Sequence, residues 1–163
     1  MALGHNYERV NEALQRGLRD GRGLQIGIPT EVEAEVAELL CKATGYQQVI
    51  FSTSGALATM HSIQIALLAT QRRIVVRMVG GWHGLQPWAV AGGSSFDGES
   101  ARAVDAFAFG VTDDFHSVVH ALPYNDLGAL QRIFELKGNE ISCVIVELAL
   151  VNCGLVMAEL DFT

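Results

Sequence analysis

Three short stretches of this sequence gather residues that could do chemistry. The first is Ser52-Thr53-Ser54-Gly55-Ala56-Leu57-Ala58, where hydroxyls and a glycine stand directly before a helical pattern. A helix start leaves backbone N–H groups without partners and carries the positive end of the helix dipole, which is the recipe for holding a phosphate. The same residues also make an ordinary N-cap. They fit neither the P-loop, since no Gly-Lys-Ser/Thr follows, nor the dinucleotide pattern of three spaced glycines. The second stretch is Gly80-Gly81-Trp82-His83-Gly84, just past an apolar strand pattern. Ligands of open α/β sheets bind at the carboxyl ends of strands. A tryptophan between glycines there offers a flat face for an aromatic ligand, or it plugs the end of the sheet. The third is Val144-Ile145-Val146-Glu147, followed by Val151-Asn152-Cys153-Gly154. A carboxylate ending a buried strand is costly unless hydrogen-bonded or paired, so Glu147 is either an ion-pair partner or a site residue.

Positioning these groups requires a regular alternation of elements. Residues 6–18 carry Val10, Ala13, Leu14 and Leu18 at amphipathic-helix spacing. Gly21, Gly23 and Gly27 then make a flexible connection. Thr30 with Glu33 forms a capping box for a helix that buries Val32, Val36, Leu39 and Leu40 and stops at Gly45. Val49-Ile50-Phe51 reads as a strand, residues 56–70 as a helix and Ile74-Val75-Val76 as a second strand. Residues 85–115 are loosely patterned, residues 127–136 helical, and residues 143–146 a third strand. Short unalternating apolar strands between helices predict an α/β fold with a mostly parallel sheet covered on both faces. No repeat or linker divides residues 1–163, which read as one domain.

Composition narrows the function classes. The 163 residues carry 18 acidic and 11 basic side chains, a net charge of −7, and half of them are apolar. That excludes a disordered chain and argues against nucleic acid as the main partner. No secretory segment or uninterrupted apolar run of membrane-spanning length is visible, so a cytoplasmic protein is expected. Cys41, Cys143 and Cys153, widely spaced in apolar text, read as small buried thiols rather than disulfides or metal ligands. His116 and His120 would share a face if both lay on one helix, as zinc ligands do, but no third ligand is evident. Tyr124-Asn125-Asp126 reads as a turn and helix cap, and Arg72 and Arg73 as solvated charges.

The order of these stretches resembles the class III pyridoxal-phosphate-dependent aminotransferases, in particular the glutamate-1-semialdehyde aminomutase group. The resemblance rests on Gly4-His5-Asn6-Tyr7, Gly27-Ile28-Pro29-Thr30-Glu31-Val32-Glu33, Thr53-Ser54-Gly55, Ala58-Thr59-Met60, Gly81-Trp82-His83-Gly84, Pro123-Tyr124-Asn125-Asp126-Leu127, Val144-Ile145-Val146-Glu147 and Asn152-Cys153-Gly154. It implies part of the large domain of a fold type I transferase. Such a domain holds pyridoxal 5'-phosphate at a homodimer interface and moves an amino group through a Schiff base to or from a small amino or keto substrate. By that resemblance Ser54, Gly55 and Ala56 lie at the phosphate cup. Trp82 replaces the aromatic residue stacked on the pyridine ring, with His83 beside it. Glu147 and Asn152 match positions near the ring's phenolic oxygen and the substrate.

The departures from the family text bear on activity. Ala56 and Leu57 stand where members usually carry Thr-Glu, which removes a phosphate-binding hydroxyl worth roughly 1.5–3 kcal/mol. Val79 and Leu148 replace a usual glutamate and proline. Only Lys42 and Lys137 could offer an amine, and neither lies where the family's catalytic lysine would. In members that lysine and the pyridine-nitrogen aspartate come later in sequence, so the resemblance covers roughly two-fifths of a typical member. The expectation is a partial cofactor-binding domain with no catalytic residue of its own and no activity alone. The alternative is a non-catalytic binding or interaction protein built from half of an aminotransferase domain.

Overall fold

The computed structural model describes residues 3–21, 28–92 and 110–162. Gly23, Gly27 and much of the loosely patterned stretch after Leu85 lie outside them. The chain divides into two units, Met1–Phe51 and Ser52–Thr163.

The first unit holds two helices, α1 (Glu8–Arg19) and α2 (Glu31–Thr44). Thr30 caps α2 by accepting the Glu33 N–H at 3.1 Å, and the helix ends at Gly45, whose φ of +79° is left-handed. Val49-Ile50-Phe51 forms no strand. An extended segment becomes a strand only by pairing, and no strand among the described residues pairs with it.

The second unit contains all the candidate chemistry. Helix α3 (Gly55–Thr70) leads to β1 (Ile74–Met78), and α4 (Pro87–Val90) and α5 (Asp113–Val118) lead to β2 (Val119–Leu122). Helix α6 (Leu127–Lys137) then returns the chain to β3 (Ile141–Ile145). The three strands form a parallel sheet in the order β2-β1-β3. Val76 lies opposite His120 on one side and Val144 on the other. Strand β1 is central and wholly buried, as a strand covered on both faces must be.

Alternation along β1 sends its side chains to two cores. Ile74, Val76 and Met78 pack with Leu122, Ile141 and Ile133 of α6. Val75 packs on the other face with Ile63 of α3, Ala91 and Val119, and half-buried Trp88 and Phe115 meet edge to face against that cluster. Asp126 caps α6, its carboxylate accepting the Ala129 N–H at 2.8 Å. Beyond β3 a small antiparallel pair, β4 (Ala149–Leu150) and β5 (Val156–Met157), brackets a 3₁₀ turn at Val151–Cys153.

His116 lies on α5 and His120 on β2, so the two share no helix face. His116 Nδ1 accepts the Gly92 N–H, while His120 Nε2 lies 3.4 Å from Lys137 Nζ. The three thiols are free, but Cys41 and Cys143 are only half-buried and Cys153 is exposed, because its turn lies outside both cores.

Candidate active site at the carboxyl ends of the strands

The loops leaving the three parallel strands converge on Glu147. Past β1 the chain turns at Gly80, whose φ is +86°, and the Gly81 N–H returns to the Met78 carbonyl at 3.1 Å. The Trp82 N–H that follows donates to Glu147 Oε1. Glu147 Oε2 accepts the Val151 N–H at 3.4 Å. Tyr124, past β2, donates its hydroxyl to the Glu147 carbonyl at 2.9 Å. Partial desolvation and the nearby Glu147 charge both push the Tyr124 pKa up, which keeps that hydroxyl a donor. The condition for a carboxylate at a strand end is thus met by hydrogen bonds. The Glu147 carboxylate is bound by backbone amides, tying the β1 loop to the turn after β4.

The start of α3 lies against the same loop. Ser54 caps the helix, its Oγ accepting the Leu57 N–H at 3.2 Å, and the Ala58 N–H goes to the Ser54 carbonyl at 3.0 Å. The amides of Gly55 and Ala56 donate to no acceptor among the described residues. Gly84 has a φ of +91°, and a Cβ there would fall 2.4 Å from the Ala56 Cβ. The Ala56 methyl therefore faces the loop. Thr59, one turn further along α3, donates to the His83 carbonyl at 2.6 Å.

Trp82 is 45% exposed, whereas His83 is buried to 6%. The His83 side chain folds back under the glycine turn, its Nε2 lying 2.9 Å from where a Gly81 Cβ would be. That nitrogen has no hydrogen-bond partner among the described residues. Burial lowers the His83 pKa, Glu147 opposes the shift and Arg77 adds to it. Asn152 is exposed on the 3₁₀ turn, with no side-chain hydrogen bond among the described residues. Ser54, Gly55, Ala56, Trp82, His83, Glu147 and Asn152 thus all belong to one unit, with Trp82, His83 and Glu147 joined at one strand end. Sequence patterns missed Thr59 and Gly84 as the fastening between loop and helix, although both stand in the quoted stretches. They also missed Arg77, buried on β1.

The buried histidine makes stability fall on mild acidification. Unfolded, His83 takes up a proton near its ordinary pKa of 6.5, while the folded site resists the charge until lower pH. Between the two values the unfolded chain binds more protons, so stability present above about pH 7 is lost as pH falls through the folded pKa. His120, lowered by burial and by Lys137, acts in the same direction. The drop in Tm between pH 7.5 and 5.5 is expected to shrink in His83→Gln and in His120→Gln. Equal drops in wild type and both variants would count against these burials.

The class-III aminotransferase family profile matches residues 1–163. The chain belongs to the class-III aminotransferases. It is 34% identical to glutamate-1-semialdehyde 2,1-aminomutase of Deinococcus radiodurans, over 99% of this chain and 37% of that protein. The Caldivirga maquilingensis enzyme of the same name is 32% identical, with the same coverage. This class-III aminotransferase chain therefore spans little more than a third of the length of the curated relatives it matches. Among solved structures, an omega-transaminase from Sphaerobacter thermophilus superposes with a TM-score of 0.81 at 29% identity, covering 98% of this chain and 37% of its own. A transaminase with pyridoxal phosphate bound superposes at 0.80, with 24% identity and 98% and 36% coverage, and shows the fold alone. The parallel sheet with flanking helices is thus part of the transaminase fold. No helix among the described residues is long and apolar enough to cross a membrane.

Proposed function

We propose that residues 1–163 form part of the cofactor-binding large domain of a homodimeric protein of the glutamate-1-semialdehyde aminomutase type, which binds pyridoxal 5'-phosphate and acts on a small amino or keto substrate. The observation carrying this is the pair of uncommitted amides at Gly55 and Ala56, set beside the half-exposed Trp82 loop by the contact of Gly84 on Ala56. A phosphorylated aromatic ring needs those two features together.

The residues fit the phosphate and the ring. Two amides and the positive end of α3 attract the phosphate, and the Ser54 hydroxyl keeps its hydrogen to donate while its oxygen caps the helix. Trp82 supplies a stacking face held by Glu147. His83, kept neutral by burial, adds no charge beneath the loop. Asn152 carries an exposed amide that could serve ligand or substrate. When bound, the cofactor supplies the electron sink for amino-group transfer.

Lys137 does not stand with these groups. Helix α6 runs back from the carboxyl ends of the strands to their amino ends, and Lys137 closes it there beside His120. Lys42 belongs to the first unit. By the family resemblance, in which neither lysine matches the catalytic one, this chain's own residues bind and orient the ring and phosphate without a covalent link.

Pyridoxal phosphate titrated against the protein is expected to bind, and Trp82→Ala to weaken it. A stacked aromatic pair is worth roughly 0.5–1.5 kcal/mol, so affinity falls by up to about tenfold. Borohydride reduction should leave no adduct that depends on Lys42 or Lys137. A Schiff-base absorbance lost in Lys42→Ala or Lys137→Ala would overturn the non-covalent reading. The Ala56 methyl, facing Gly84 where a hydroxyl could serve phosphate, favours the second reading of a non-catalytic binding or interaction protein. Absence of binding in both wild type and Trp82→Ala would support it.

A further inference from the structure

Two groups of contacts fasten the Trp82 loop to α3. Gly84 sits on the Ala56 methyl, with no room for a Cβ between them. The Thr59 hydroxyl lies 2.6 Å from the His83 carbonyl and 2.9 Å from the Ala56 carbonyl. It thus reaches one carbonyl in the loop that carries Trp82 and one in the helix turn that carries the free amides. Thr59 is half-buried and takes no part in any ligand contact described above. A hydroxyl used only for the helix would bond within its own helix, as that of Ser62 does to the carbonyl four residues back. The Thr59 hydroxyl instead spans to a residue 24 positions away.

We infer that Thr59 is a positioning residue, whose hydroxyl holds the Trp82 face at a fixed offset from the Gly55 and Ala56 amides. The inference rests on the cofactor reading proposed above and adds a device to it. A ligand carrying both phosphate and ring gains affinity from two subsites only while their separation is fixed, because the second contact then forms intramolecularly. Ordering the loop in advance removes part of the cost of binding. Loosening the fastening forfeits that gain and leaves each subsite intact for a ligand that uses one alone.

The test compares three probes that lack an aldehyde and so cannot react with lysine: pyridoxine 5'-phosphate, pyridoxine and inorganic phosphate. In Thr59→Val the dissociation constant for pyridoxine 5'-phosphate is expected to rise about tenfold, while those for pyridoxine and phosphate change less than about twofold. Thr59→Ser, which keeps the hydroxyl, should restore wild-type binding. Unchanged binding in Thr59→Val, an equal loss for all three probes, or failure of Thr59→Ser to rescue would overturn the inference. A wild type that binds no pyridoxine 5'-phosphate would overturn the cofactor reading instead. The positioning role is then judged without ligand, by acrylamide quenching of Trp82 in a Trp88→Phe background. Thr59→Val is expected to raise quenching at least about twofold and Thr59→Ser to leave it unchanged. Equal quenching in all three proteins would overturn the role itself.

Discussion

Replacing Gly84 by alanine is expected to cost about 3 kcal/mol or more of stability, whereas Gly154→Ala costs about 1 kcal/mol. Both glycines have left-handed backbones, with φ of +91° and +87°. A side chain there carries roughly 1–2 kcal/mol of strain at either site. The sites differ in what a Cβ would meet. At Gly154 nothing lies within 4 Å, while at Gly84 the Ala56 Cβ and Cα lie 2.4 and 2.7 Å away. Neither neighbour is the flexible end of a long side chain, so the loop or the helix start must shift, at a typical overpacking cost of about 1–3 kcal/mol. Denaturant unfolding followed by tryptophan fluorescence measures the difference. The double variant Gly84→Ala with Ala56→Gly should recover only part of the overpacking cost, because the residue 56 Cα still lies 2.7 Å from the added Cβ. If Gly84→Ala proved no worse than Gly154→Ala, the loop would not be seated on α3.

Much of the local structure was legible, because its causes lie within a few residues. Thr30, Ser54 and Asp126 precede helices and cap them with their own side chains, each reaching an amide three positions on. The apolar text around Val75 and Val144 predicts strands, and both form. Failures arose where a residue's state depends on a distant partner. Val49-Ile50-Phe51 is as apolar as β1 but has no strand to pair with among the described residues. Val119–Leu122 pairs with β1 and becomes a strand, which separates His116 from His120 at the Val118–Val119 junction. The pair β4 and β5 was invisible, since two residues per strand carry no period.

The site shows the same division. Its residue types could be named from the sequence, including Trp82, Glu147 and the Ser54 helix start. Their joining could not, because Glu147 reaches Trp82 across 65 positions and Thr59 reaches His83 across 24. Ala56 in particular reads as a lost hydroxyl, while in the fold its methyl is the seat for Gly84.

Arg77→Met is expected to destabilise the second unit by about 2–5 kcal/mol. Arg77 is 4% exposed on the face of β1 shared with Val75. Its Nε donates to the Ala91 carbonyl at 2.8 Å, and one terminal nitrogen donates to that of Val90 at 3.4 Å. Residues 90 and 91 are themselves buried at the end of α4, so methionine would leave two carbonyls without a donor among the described residues. Each such orphan costs about 1–3 kcal/mol. Lysine at this position keeps the charge and can reach one carbonyl, so Arg77→Lys should lose less than Arg77→Met. Equal losses would mean that volume rather than hydrogen bonding dominates. The same substitution tests the electrostatics beside Trp82. The Arg77 charge helps to lower the His83 pKa, though burial is the larger cause. Without that charge the folded pKa moves back toward its ordinary value, and the gap between folded and unfolded His83 narrows. Arg77→Met should therefore be less stable at every pH, yet lose less of its remaining Tm between pH 7.5 and 5.5 than wild type does.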